Sequence, residues 1–150
     1  MSGKTALVVL GMHRSGTSSV AGALALLGGR RHALGGTFFE PTVLTGVTPA
    51  MRLSREEIFG PVLSVITFDT AEEAVQIAND TPYGLCSYIT SADKNRAYEL
   101  AKHIDAGRVC INNVLHDPLA PFGGFKQSGV GREYGVFGLE AFLEPKAVIG

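Results

Sequence analysis

The hydrophobic pattern predicts alternating strands and helices over the middle of the chain. Residues 62–68, 85–90 and 108–112 are short apolar runs of the kind that form buried strands. Between these runs, Thr70 and Asp93 begin two helical patterns, because short polar side chains cap helices and apolar residues then recur at helical spacing. The apolar positions are Ala74, Ile77 and Ala78 in the first helix and Ala97, Leu100, Ala101 and Ile104 in the second. The order β-α-β-α-β predicts an α/β fold with a mainly parallel sheet and helical crossovers.

Both ends of the chain carry weaker signals. Residues 5–10 predict a buried strand and residues 17–27 an apolar helix, so that residues 1–28 form a strand-loop-helix start. Residues 28–50 are rich in Gly, Thr and Pro, which predicts the boundary between this start and a second segment, residues 28–150. Both segments are expected to belong to one compact domain. Residues 112–131 form a long loop, and loops of that length are usually functional. A helix over residues 133–142 and a terminal strand over residues 143–149 complete the prediction.

Composition narrows the possible classes of function. The 150 residues carry 13 basic and 14 acidic side chains, a net charge of −1 that indicates neither a nucleic-acid nor an anionic-membrane partner. The apolar runs are too short for a membrane span, and the start lacks the features of a signal peptide. Cys86 and Cys110 are therefore expected to be reduced thiols in a cytoplasmic protein. The four histidines show no metal-ligand spacing, so no metal site is predicted.

The loop GMHRSGTS, at residues 11–18, is the first chemical signal. It joins the predicted strand to the predicted helix, where backbone N–H groups and the helix N-terminus can hold a phosphate. Its glycine spacing matches a Walker A loop, but Thr17 stands where the lysine belongs, which disfavours an ATPase or GTPase. Arg14 could supply the missing positive charge. The alternative is a strand and a helix that merely pack together.

The surrounding stretch VLGMHRSGTSSVAGALALLG, at residues 9–28, resembles the 5′-phosphosulfate-binding loop of sulfotransferases that use phosphoadenosyl phosphosulfate. The resemblance implies a phosphonucleotide-binding module, with a nucleotide of the adenosine 3′,5′-bisphosphate type as its ligand. The residues that would bind the 5′-phosphate are Arg14, Ser15, Gly16, Thr17 and Ser18.

A longer part of the chain, about residues 28–150, resembles the C-terminal part of the catalytic domain of aldehyde dehydrogenases. Four ordered motifs carry the resemblance: GGTFFEPTVL at residues 35–44, REEIFGPVLSV at 55–65, NDTPYGL at 79–85 and PFGGFKQSGVGREYG at 121–135. The resemblance implies an NAD(P)-dependent oxidoreductase family with NAD or NADP as cofactor. It does not identify an aldehyde.

The resemblance also implies roles for individual residues. Glu57 would hold the ribose on the nicotinamide side through its carboxylate, and Phe59 would pack beside the nicotinamide. Leu115, His116 and Phe122 lie in or beside the loop through which aldehydes enter in this family. Without the surrounding motifs, Glu57 would be interpreted as a solvated helix-end residue and Phe59 as a core residue.

The family's nucleophile has no counterpart in the sequence. Aldehyde oxidation in the family requires a thiolate in a motif like F-x-N-x-G-Q-x-C, which stands upstream of EEIFGP and is not matched here. The general-base segment and the glycine-rich dinucleotide-binding domain are not matched either. Cys86 and Cys110 fall inside predicted strands, where small buried hydrophobic side chains are the better interpretation. No catalytic residue is therefore predicted.

Three functions remain open from the sequence. The first is an aldehyde dehydrogenase-derived fragment without independent aldehyde oxidation, which keeps a partial nicotinamide contact surface. The second is the phosphonucleotide-binding module described above. The third is an oligomerisation element: the aldehyde dehydrogenase resemblance implies that the terminal strand pairs in a subunit interface, and exposed apolar surface would favour a homo-oligomer.

Overall fold

The computed structural model describes residues 30, 32–36, 38–112 and 117–150. The predicted strand at residues 5–10 and the predicted helix at residues 17–27 lie outside these ranges, as does the whole segment 1–28. The described part contains six short strands and four helices. In chain order these are β1 (Thr42–Leu44), α1 (Arg52–Arg55), β2 (Val62–Ser64), α2 (Ala71–Asn79), β3 (Tyr83–Gly84), β4 (Cys86–Ile89), α3 (Lys94–Ala101), β5 (Arg108–Ile111), β6 (Phe125–Lys126) and α4 (Gly135–Glu140).

The strands form three pairs, two of them parallel. β1 pairs with β2 and β4 with β5 in parallel, whereas β3 and β6 are antiparallel. The α/β class is confirmed, and the predicted order appears as β2-α2-β4-α3-β5 with the two-residue strand β3 added between α2 and β4. In the part of the chain that is described, however, β2 and β4 belong to different pairs, so the pairs do not join into one sheet. The predicted strand at residues 62–68 is also shorter, since its paired part is only Val62–Ser64.

Both central helices begin where their capping residues predict. The Thr70 hydroxyl accepts a hydrogen bond of 3.1 Å from the Glu73 backbone N–H, and the Glu73 carboxylate accepts one of 2.7 Å from the Asp69 N–H. At α3, the Asp93 carboxylate accepts a bond of 3.0 Å from the Arg96 N–H. The bonds to Thr70 and Asp93 satisfy N–H groups that the first turn of a helix leaves without a partner, and the bond from Asp69 ties the residue before the cap to that turn.

The core lies on one face of the β4–β5 pair. Ile89 and Ile111 are directly opposite each other in the ladder and pack with Ala97, which is completely buried. Ala78 from α2 and Ile104 from the turn after α3 complete this cluster. Alternate strand residues point to opposite faces, so the cluster fixes which side chains face away from the core. Those are Cys86 and Tyr88 on β4 and Arg108 and Cys110 on β5.

The loop after β5 packs closely over the start of that strand. The Gly107 N–H donates to the Gly84 carbonyl at 3.0 Å, and a Cβ atom at Gly107 would overlap the carbonyl oxygen of Gly123. A side chain therefore cannot be accommodated at Gly107 without moving the backbone. This close approach holds the neighbouring Phe122 above Arg108, whose guanidinium lies 5.1 Å from the ring centroid.

Two local predictions need correction, and four short elements were not predicted. β1, α1, β3 and β6 have two to four residues each and are too short to show a period. β6 lies within the predicted loop at residues 112–131. The last helix spans Gly135–Glu140 rather than residues 133–142. The terminal strand over residues 143–149 is wrong: these residues are exposed and form no strand. A strand requires a neighbour, and none in the described ranges pairs with this segment. Association through it stays a prediction.

We expect the core cluster to dominate the stability of the described part. Truncation of Ile111 to alanine should reduce the free energy of unfolding by about 2–4 kcal/mol, because it removes buried methyl groups and leaves a cavity. Chemical denaturation followed by circular dichroism measures this loss. The matched control is Val130→Ala, since Val130 is 96% exposed and its truncation should change little. Equal losses in both variants would contradict this placement of the core.

Candidate functional site

Glu57 and Phe59 line one open cleft of about 450 Å³. They belong to the irregular segment between α1 and β2, and the opposite wall of the cleft comes from α2 and β4. Ala78 contributes from α2, and Cys86 and Ser87 from β4. Cys86 and Ser87 belong to opposite faces of β4, so the cleft borders the edge of that strand.

Arg55 anchors this segment beside the cleft. Its guanidinium donates to the Asp80 carboxylate at 2.7 Å and to the Pro49 carbonyl at 2.9 Å. Asp80 ends α2, so the contact joins α1 to the helix on the other side of the cleft. Both side chains are about half exposed, and the Arg55–Asp80 pair therefore acts mainly by positioning rather than by stabilising the fold.

The two neighbouring glutamates lie in different environments. Arg52 donates to both carboxylate oxygens of Glu56, at 2.6 and 2.7 Å, and this hydrogen bonding lowers the pKa of Glu56. Glu57 is half-buried, with its Oε1 atom shielded from solvent. Among the described acidic residues that line the cleft, Glu57 is half-buried, whereas Glu56 is exposed and held by Arg52.

Phe59 is not a core residue in this structure. Its side chain is 54% exposed, although it lines the cleft together with Glu57. An exposed phenyl ring beside a carboxylate can stack against a planar ring while the carboxylate accepts hydrogen bonds from hydroxyl groups. The two residue types therefore suit a ligand with a flat ring joined to a polyhydroxyl group.

Of the predicted access-loop residues, the structure describes Phe122. Leu115 and His116 lie outside the described residues. Phe122 is described, but it packs on Tyr134, with 5.8 Å between ring centroids, and does not line the cleft. The predicted phosphate-binding residues Arg14, Ser15, Gly16, Thr17 and Ser18 also lie outside the described ranges.

Ser87 lines the cleft but was not predicted from the sequence. Ser87 is 2% exposed, and its hydroxyl oxygen has no hydrogen-bond partner among the described residues. Ser87 and Ile89 are two residues apart on β4 and therefore face the same side of the strand. The alternation of residues along β4 could have identified Ser87 as a polar residue on an otherwise apolar face.

Cys86 and Cys110 are free thiols on the face of β4–β5 opposite the core. Burial, and then the neighbouring Cys86 thiol, raises the pKa of Cys110. A hydrogen bond with Cys86, and then its charge, raises the pKa of Tyr88. A catalytic thiol normally has a lowered pKa, and Cys110 shows the reverse. Within the described ranges, no group of three or more His, Cys, Asp or Glu side chains could hold a metal ion.

The raised pKa values predict a loss of stability in alkaline solution. A thiol or phenol whose pKa rises on folding stabilises the fold fully below its unfolded pKa, and this contribution is lost as the pH rises through the folded pKa. For Cys110 and Tyr88 the loss begins near their ordinary values of 9.0 and 10.0. Cys86 and Arg108 are the titratable neighbours on the same face, and Arg108 partly opposes both shifts.

We therefore expect the free energy of unfolding to fall above about pH 9, and Cys110→Ser to make this fall shallower. Denaturant titrations at several pH values measure both slopes. Identical slopes for the variant and the unmodified chain would show that Cys110 does not contribute.

Comparison with known proteins places the chain in a family. Residues 12–148 match the Aldehyde dehydrogenase family, and the chain belongs to that family. A curated relative from Staphylococcus saprophyticus, whose name also places it among the aldehyde dehydrogenases, is 50% identical over 115 residues. These residues are 77% of this chain and 24% of the relative, so the chain spans about a quarter of that relative's length.

Solved structures agree with this assignment. Aldehyde dehydrogenase C from Pseudomonas syringae, solved as a mutant with NAD+ and octanal, matches with a TM-score of 0.79 and 45% sequence identity. The match covers 87% of this chain and 29% of the Pseudomonas syringae chain. An aldehyde dehydrogenase from Mycobacterium tuberculosis, solved with NAD+, matches with a TM-score of 0.74 and 40% sequence identity, over 82% of this chain and 28% of the Mycobacterium tuberculosis chain.

The family match includes residues 12–18, so the sulfotransferase resemblance gains no support and stays a prediction.

The described helices show no membrane-crossing segment: none combines the necessary length and apolar character.

Proposed function

We propose that this chain is a partial aldehyde dehydrogenase unit that keeps part of a nicotinamide contact surface and does not oxidise aldehydes by itself. The observation that carries the proposal is the lining of one cleft by Glu57 and Phe59. These are the residues to which the family resemblance assigns the ribose and nicotinamide contacts.

The chemistry of the two side chains fits the nicotinamide end of the cofactor. The Glu57 carboxylate would hold the ribose by accepting hydrogen bonds from its hydroxyls, and partial burial would strengthen such charge-assisted bonds. The exposed ring of Phe59 would pack beside the nicotinamide and exclude water from that side of it. When bound, the nicotinamide supplies the hydride acceptor.

NAD is the cofactor that we infer. The relatives from Pseudomonas syringae and Mycobacterium tuberculosis were solved with NAD+. This chain covers only 29% and 28% of their lengths. Two residues contact only a small part of a dinucleotide. We therefore expect weak binding, with a Kd of about 1 mM or higher, which corresponds to about 4 kcal/mol or less.

The positions of the thiols support the absence of independent oxidation. Cys110 faces away from the core on β5, does not line the cleft, and has a raised pKa. Cys86 lines the cleft at the β4 edge, but its thiol contacts the Ser87 carbonyl at 3.9 Å and interacts with Tyr88 and Cys110. Among the described residues, neither thiol hydrogen-bonds to a His, Asp or Glu side chain of the kind that activates a thiol nucleophile.

Substitution of Glu57 tests the cofactor contact. We expect Glu57→Gln to weaken NAD binding several-fold, because a neutral amide replaces a carboxylate as hydrogen-bond acceptor. Saturation-transfer NMR on the nicotinamide and ribose protons measures weak binding of this kind. The matched control is Glu56→Gln, an identical change at the adjacent residue, whose carboxylate is held by Arg52.

Two results would contradict the proposed contact. One is an equal effect of the Glu56 and Glu57 substitutions. The other is binding of adenosine 3′,5′-bisphosphate without any binding of NAD, which would favour the phosphonucleotide-binding module and would then be expected to disappear in Arg14→Ala.

Turnover tests the second half of the proposal. With octanal and NAD, the purified chain should form no NADH above the level of a protein-free blank. Absorbance and fluorescence of NADH measure this directly. Sustained NADH formation that disappears in Cys86→Ala or in Cys110→Ala would overturn the proposed lack of independent oxidation, and would identify the thiol responsible.

A further inference from the structure

Cys86 and Cys110 occupy neighbouring positions on the solvent-facing side of β4–β5. The register pairs Cys86 with Arg108 and Tyr88 with Cys110, so the two cysteines are diagonal neighbours on one face. Both are half-buried free thiols. Burial, and then the Cys86 thiol, raises the pKa of Cys110, in agreement with this placement on one face.

The spacing of the two strands suits a bridging ion better than a disulfide. Adjacent strands are about 4.8 Å apart and two residues advance a strand by about 6.6 Å, so diagonal Cα atoms are about 8 Å apart. A disulfide rarely forms when the Cα atoms are more than about 7 Å apart, since the backbone would have to move. An ion placed between the sulfur atoms needs a longer sulfur–sulfur separation and no such movement.

We propose that Cys86 and Cys110 form a two-thiolate binding site for a soft monovalent cation of the Cu(I) class. Thiolates are the ligands that Cu(I) prefers. The described residues provide no cluster of three or more ligands, which disfavours the tetrahedral site that Zn²⁺ requires. Two thiolates and one Cu(I) ion carry a net charge of −1, and the Arg108 guanidinium on the same face is suited to balance it.

The surroundings of the site favour entry of an ion. Tyr88 is 44% exposed, so the face is not closed over, and its phenol can donate a hydrogen bond to a bound thiolate. Arg108 is held in place by the Phe122 ring, 5.1 Å from the guanidinium carbon. Binding replaces two S–H protons by one Cu(I) ion and releases both protons to solvent, with no change in oxidation state.

The test is an anaerobic Cu(I) titration of the full, reduced chain against a chromophoric Cu(I) chelator. We expect one Cu(I) per chain and at least a hundredfold loss of affinity in Cys86→Ser and in Cys110→Ser alike. Ser87→Ala is the matched control, because Ser87 lies next to Cys86 but on the opposite face of β4. It should bind Cu(I) like the unmodified chain.

Several results would overturn the site. These are undiminished binding in either single-cysteine variant, two ions per chain, or one ion per two chains. An affinity for Cu(I) in concentrated guanidinium chloride equal to that of the folded chain would also overturn the proposed site, because the thiols would then bind Cu(I) without the fold that brings them together.

A second measurement uses the unmodified chain and so does not depend on the folding of variants. Phenylarsine oxide condenses with two adjacent thiols, forming two sulfur–arsenic bonds and releasing one water molecule. Intact mass and thiol counting should show one arsenic per chain and no thiol left for alkylation. One remaining free thiol per chain would show that the cysteines are not adjacent.

Discussion

Burial of one face of the β4–β5 pair under α2 and α3 is the packing interaction on which the described structure depends. Ile89 and Ile111 supply the strand side of this contact, and the fully buried Ala97 allows α3 to approach closely. Because strand residues alternate between faces, this burial also fixes the orientation of every other side chain on both strands. The outward position of Cys86 and Cys110 is a direct consequence.

The cleft follows from how α2 connects two separate strand pairs. α2 follows β2, which pairs with β1, and the chain then continues through β3 to β4, which pairs with β5. Among the described residues, the space between the β1–β2 and β4–β5 pairs is open. Arg55 and Asp80 join the two sides of this space through a 2.7 Å contact. Glu57 and Phe59 thereby come to line the same cleft as residues that lie some 20 to 50 positions further along the chain.

Local signals explain which predictions succeeded. Thr70 and Asp93 identified the starts of α2 and α3, because a helix cap depends on residues only three positions apart. β1 and α1 were missed because three or four residues carry no detectable period. The terminal strand failed because an apolar sequence such as that around Val148 becomes a strand only when a neighbouring strand accepts its hydrogen bonds.

The sequence by itself determined the α/β class, the two capped helices and the family, because caps, apolar periods and ordered motifs are properties of short segments. It also identified Glu57 and Phe59 as residues of interest. Only the tertiary structure decided that both line one cleft, that Phe122 does not, and that Cys86 and Cys110 are neighbours. These relations depend on strand register and on packing between distant segments, and short-range spacing does not encode them.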